Sequence, residues 1–212
     1  MRLRPTAIAG LTTVACMVAG CAGAGPATAP IGSSPAASEG SSAVASSAVE
    51  PMDLRAVVIS ADRPPTGMSS DGGQDGQILG RLPLTASRAT DLRGQSGFVA
   101  GSYSTFSGPA GFLLTWAAQY ASEAEAAQAA AIVLDDLQSD DGYGWGIGDD
   151  AGLGDEGTCL EGDNPQEGGL HETICAWRNG PLVLVVGGES SEATVQSLAA
   201  AMDSRADAAL GP

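Results

Sequence analysis

The chain of 212 residues contains no lysine, one histidine and few aromatic side chains, and each shortage removes some chemistry. Without lysine there is no Schiff-base nucleophile and no lysine for a phosphate-binding P-loop. A lone histidine, His171, excludes a histidine-rich metal site and limits acid–base catalysis. Basic charge is equally scarce: nine arginines face 25 acidic residues, giving a formal net charge of −16. Between Gly94 and Trp177 there is neither arginine nor lysine. Nucleic-acid binding draws its affinity from Lys and Arg neutralising phosphates, so a polyanion of this kind has no nucleic-acid partner. Long apolar runs are absent too. The longest, Thr6 to Gly20, falls short of the roughly 20 residues a membrane-crossing helix needs.

That short run follows Arg2 and Arg4 and ends Val18-Ala19-Gly20-Cys21. A positive start, an apolar stretch and small residues before a cysteine read as a signal peptide over residues 1–20. The ending matches the lipobox of bacterial lipoprotein precursors, with Cys21 as the lipidated residue, because only cysteine offers a thiol for thioether attachment of diacylglycerol. An ordinary secretory signal with Cys21 incidental is the alternative. Diacylglycerol with a further acyl chain such as palmitate would hold the protein stably on a membrane, where a single chain would not. The expectation is a lipid-anchored protein on the extracytoplasmic face of the cell membrane, in the cell envelope. Cleavage before Cys21 also removes Arg2 and Arg4, leaving seven arginines against 25 acids.

After Cys21, residues 22–50 are nearly all Ala, Gly, Ser, Pro and Thr. Such a stretch buries too little apolar surface to offset chain entropy, so 21–50 reads as a flexible spacer with a reach of about 30 Å. Residues 51–212 read as one extracytoplasmic domain. Pro51 with Leu54, Val57, Val58 and Ala61 at helical spacing predicts an N-terminal helix, stopped by Pro64-Pro65. Residues 66–80 read as a loop. Strands are predicted over Gly97–Tyr103 and Gly111–Tyr120. A helix follows from Ser122, whose partner Glu125 completes a capping box, with Ala127, Ala130, Ala131, Leu134 and Leu137 facing inward. The pattern then recurs. Leu170–Arg178 and Leu182–Gly187 flank the turn signal Asn179-Gly180, and a helix over Glu192–Ala208 turns Val195, Leu198, Ala199 and Met202 inward. Unbroken apolarity over Leu182–Val186 predicts a central strand covered on both faces. The fold class expected is α+β: an antiparallel sheet from two β-hairpin–α units, helices on one face, plus the N-terminal helix. Residues 139–169, acidic and glycine-rich, are long for a connection and read as functional or mobile.

Four cysteines are present; Cys16 lies in the signal peptide and Cys21 is claimed by the lipid. Cys159 and Cys175 remain, in an oxidising compartment where an even pair normally forms a disulfide. A redox or metal pair is the alternative, disfavoured by the lack of C-x-x-C spacing. Asp149, Asp150, Asp155, Glu156 and Asp163 are candidate calcium ligands, being hard oxygens on a flexible segment; a solvated acidic surface is the competing reading. The nearest approach to an EF-hand, Asp71 to Asp75, has Gly73 at its third position and Leu82 where the bidentate Glu belongs. Trp145, among glycines, is either a partner-binding anchor or a ring folded back over the sheet. Trp116 and Trp177 read as core. Gly146 to Ala151 loosely fits a dinucleotide fingerprint, but two carboxylates would oppose the pyrophosphate. His171 reads as an ordinary strand residue, and no nucleophile–base pair stands out.

Leu54 to Gly67, Phe98 to Tyr103, the alanine-rich helix, Leu153-Gly154-Asp155-Glu156 and Cys175 to Val183 together resemble actinobacterial lipoproteins whose outer domain is similar to the sensor domain of PknH-type receptor kinases. The resemblance spans most of residues 52–208. It implies a domain that senses a small ligand or wall fragment, with helices on an antiparallel sheet, and it brings no catalytic residue. The functional expectation is therefore a non-enzymatic ligand- or partner-binding lipoprotein without a cofactor, its ligand a wall component, protein or small molecule. A calcium-dependent adhesion module and a carboxylate hydrolase are the alternatives.

Overall fold

The computed structural model describes residues 49–75, 91–92, 94–109, 111–139, 144–145, 148–164 and 169–211. The signal peptide, Cys21 and nearly all of the spacer lie outside these residues, as do 76–90 and the segments next to Trp145.

Strands dominate. Seven form one antiparallel sheet: β1 (Ser69–Asp75), β2 (Phe98–Gly108), β3 (Gly111–Tyr120), β4 (Asp149–Asp150), β5 (Glu156–Asn164), β6 (Leu170–Asn179) and β7 (Leu182–Gly188). Their order across the sheet is β1-β2-β3-β7-β6-β5-β4. Helix α1 (Glu123–Gln138) follows β3, and α2 (Glu192–Leu210) follows β7. No helix among the described residues is long and apolar enough to cross a membrane. All described residues fall within one compact unit, Ala45–Pro212.

The centre of the sheet explains the rest. On β3, Trp116, Ala118 and Tyr120 point to one face while Leu113 and Ala117 point to the other. On β7, Val183 and Val185 oppose Leu182, Leu184 and Val186. Side chains alternate along a strand, so both faces of both strands are apolar and each must be covered. Helix α1 covers the first face with Ala126, Ala129, Val133 and Leu137. Helix α2 covers the second with Val195, Ala199, Met202 and Ala206. Leu182–Val186 is the doubly covered strand its composition predicted, every residue of β7 being buried.

Four expectations are corrected by this arrangement. The helices do not share a face, so the sheet with helices on one side gives way to a sheet between two helices. A two-fold axis perpendicular to the sheet would superpose β2-β3 on β6-β7, but it would leave α1 and α2 on the same side. The order of elements repeats and the three-dimensional unit does not. The N-terminal helix is one 3-10 turn, Leu54–Ala56, capped by the Asp53 carboxylate. The segment is held instead by burial of Val57, Val58 and Ile59 and by the buried Gln119 amide, which accepts from Met52 N at 2.7 Å and donates to Glu50 O at 3.1 Å. The loop over 66–80 contains β1, paired along β2 with a bulge between Ser70 and Gly72. The long connection over 139–169 contains β4 and β5, and β5 pairs with β6 from Glu156↔Arg178 to Asn164↔Leu170. Both are outer strands, formed by backbone pairing and carrying too few apolar side chains to announce themselves.

Smaller offsets have the same origin. The Ser122 hydroxyl accepts from Glu125 N at 3.2 Å and donates to the Glu125 carboxylate at 2.9 Å, as the capping pattern implied. The buried stripe of α1 includes Ala126, Ala129 and Val133, with Ala131 exposed; alanine on every side of a helix leaves its phase undetermined. The tight turn after β6 is Gly180-Pro181, one position beyond the predicted pair, with Gly180 at φ +54° where a Cβ is disfavoured.

Candidate functional site

Cys159 and Cys175 sit directly opposite each other on β5 and β6, Cα atoms 4.0 Å apart, and are joined as a disulfide. Their side chains point to the α2 face. This bond lies under a cleft of about 550 Å³ between α2 and the outer strands. Cys159, Glu161 and Thr173 form its floor, from β5 and β6. One wall is a single stripe of α2, with Glu192, Gln196 and Ala200 spaced four apart. The other is Gly148 to Ala151, with Leu153.

Local interactions explain why that second wall stands where it does. The Thr158 hydroxyl donates to Asp149 O at 2.8 Å, and Ala151 N donates to Gly157 O at 3.1 Å. The Asp150 carboxylate accepts from Gly152 N at 2.8 Å, bending the chain back. Gly154, at φ +53°, passes so close to Arg178 that any Cβ would meet the Arg178 carbonyl. Asp155 then accepts from the Arg178 guanidinium and from Gly180 N, each at 2.8 Å. The Asp203 carboxylate of α2 accepts from Trp177 Nε1 (2.9 Å), Asn179 Nδ2 (3.1 Å) and Gly154 N (3.2 Å). One carboxylate thereby ties helix, sheet and loop together.

Trp145 is half-buried and lines the cleft. Its backbone N–H donates to Leu137 O at 3.0 Å and its Nε1 donates to Asp163 O at 3.1 Å. Its ring lies on Gly162, where a Cβ would stand 2.4 Å from the ring. The ring is folded over the edge of β5, and the residue also lines the cleft.

The candidate calcium ligands are dispersed. Asp149 and Asp150 border the cleft; Asp155 is engaged by Arg178; Glu156 opens β5; Asp163 lies 3.2 Å from His171 Nδ1, with both side chains largely exposed. Among the described residues no three His, Cys, Asp or Glu side chains converge as a metal site would require. Asp71 lies on β1, where its carboxylate accepts from the Ser107 hydroxyl at 2.8 Å. Trp116 and Trp177 are core, and His171 is an exposed strand residue.

The sequence reading missed Thr173, Glu192, Gln196 and Ala200 as site residues. Spacing of four on α2 was visible, but nothing in it distinguishes the side of a helix that lines a cleft from a solvated side. No family model matches the chain, and no curated protein matches its sequence.

Proposed function

We propose that the protein is an exported lipoprotein, anchored by diacylglycerol on Cys21, whose outer domain binds a ligand without chemically transforming it. The observation that carries the binding role is the cleft over the Cys159–Cys175 bond, whose volume lies in the range of small-molecule sites. The lipobox and the polar spacer support the anchor, and an oxidised cysteine pair accords with export. The resemblance to sensor domains of receptor kinases points the same way.

A ligand that binds the folded state alone raises its melting temperature. Soluble fragments of the cell envelope are expected to raise that of the purified protein. Ala200→Trp, which places an indole in the cleft from an exposed position on α2, is expected to fold and to abolish the shift. An unchanged melting temperature with envelope fragments contradicts the reading.

A further inference from the structure

The Cys159–Cys175 bond lies in a row that crosses the sheet, and the two ends of that row differ. Asp149, Cys159, Cys175 and Val186 pair successively across β4, β5, β6 and β7, and directly opposed residues share a face. Cys175 and Val186 are fully buried, in the cluster that α2 closes with Val195 and Ala199. Cys159 is half-buried and lines the cleft beside the exposed Asp149. The side of Cys175 away from its partner therefore faces Val186 under α2. The same side of Cys159 faces Asp149 and the cleft.

A thiolate opens a disulfide by attacking one sulfur from the side opposite the other, so access decides which sulfur is attacked. We infer that Cys159 is a thiol–disulfide exchange site, reached through the cleft by a neutral or cationic dithiol, with Cys175 as the leaving thiol. The entering thiolate bonds to Cys159 Sγ, the Sγ–Sγ bond breaks, and Cys175 departs as a thiolate that takes up a proton. Cys175 stays directly opposite and re-attacks the mixed disulfide, so a monothiol is expelled again. A dithiol completes the reaction: its second thiol attacks its own bound sulfur and releases Cys159. The dithiol is oxidised to a disulfide and the protein pair is reduced to two thiols. Asp149 sets the charge class, because a thiol with its own negative charge is repelled at the entrance.

The test exposes the folded full chain to excess cysteamine, a cationic monothiol, followed by acid quenching and mapping of adducts by mass spectrometry. Adducts on Cys159 are expected to exceed those on Cys175 about tenfold, whereas urea-unfolded protein carries both at comparable levels. Equal adducts in the folded protein, or an excess on Cys175, would overturn the inference. Reduction by dithiothreitol is expected to proceed at a rate proportional to its concentration. A rate that levels off at the rate of unfolding would confine exchange to the unfolded chain and overturn it as well. Normalised to the unfolded protein, cysteamine is expected to react about tenfold faster than mercaptoacetate at low salt. Asp149→Asn is expected to shrink that ratio and Asp62→Asn to leave it unchanged; an unaltered ratio in Asp149→Asn would overturn entry past Asp149. None of these readouts depends on ligand binding, so their failure would leave the proposed function standing.

Discussion

Asp203 accepts three hydrogen bonds, from Trp177, Asn179 and Gly154, at a point where α2, β6 and the loop before β5 meet. Replacing it by alanine strips the buried Trp177 indole of its acceptor, and a buried donor left unpaired costs about 1–3 kcal/mol. Asp203→Ala is therefore expected to lower the unfolding free energy by that amount, read as a lower urea midpoint at unchanged slope, and an unchanged midpoint would show the network to be incidental. At Gly162 the constraint is steric. Alanine there would press a methyl into the Trp145 ring, and overpacking of this kind costs about 1–3 kcal/mol. Tyr120 is a third case. Its hydroxyl is buried without a partner among the described residues, and burial alone holds it protonated well above the ordinary tyrosine value of 10.0. The unfolded chain releases that proton first, so it binds fewer protons than the native state once pH passes about 10. Stability from this residue is complete below that value and is lost as pH rises beyond it. Tyr120→Phe is expected to flatten the alkaline decline in melting temperature; an identical decline would assign it elsewhere.

At the scale of elements, helix ends and central strands were readable because their physics is local. Ser122 and Glu125 cap α1 as their spacing implied, and Ser122→Ala is expected to cost about 1 kcal/mol in denaturant unfolding. The two central hairpins and β7 were legible from apolar runs and a turn. What the sequence concealed was β1, β4 and β5, since an outer strand can pair through its backbone while its side chains stay polar. Ser69 to Asp75 contains no apolar residue at all, and Glu156 to Asn164 offers little beyond Cys159 and Leu160. The cleft was half legible for the same reason. Asp149, Asp150 and Trp145 were candidates by composition, but their wall exists because β4 and β5 extend the sheet beneath α2. The disulfide was readable from cysteine number and the expectation of export. Its register, Cys159 opposite Cys175, follows from the pairing of β5 with β6. By the chain-entropy model its closed loop contributes about 3 kcal/mol.

Across the whole molecule, the division of the core decides where ligands can reach. With α1 on one face and α2 on the other, both central strands are sealed, and among the described residues one opening lies where α2 leans over β4 and β5. Two tryptophans, Trp116 and Trp177, fill opposite faces and do not reach solvent. The third, Trp145, closes the edge beside the opening. A strongly negative domain would be repelled by anionic headgroups, and the spacer over residues 21–50, if exported and anchored, would hold it clear of them. Export, anchorage and oxidation stand together in this account, and the intact mass of the native protein recovered from fractionated cells tests them at once. The prediction is a membrane-fraction species that begins at Cys21, carries diacylglycerol and has Cys159 and Cys175 joined. A species beginning at Met1, unlipidated, in the soluble fraction and with both thiols free would contradict it.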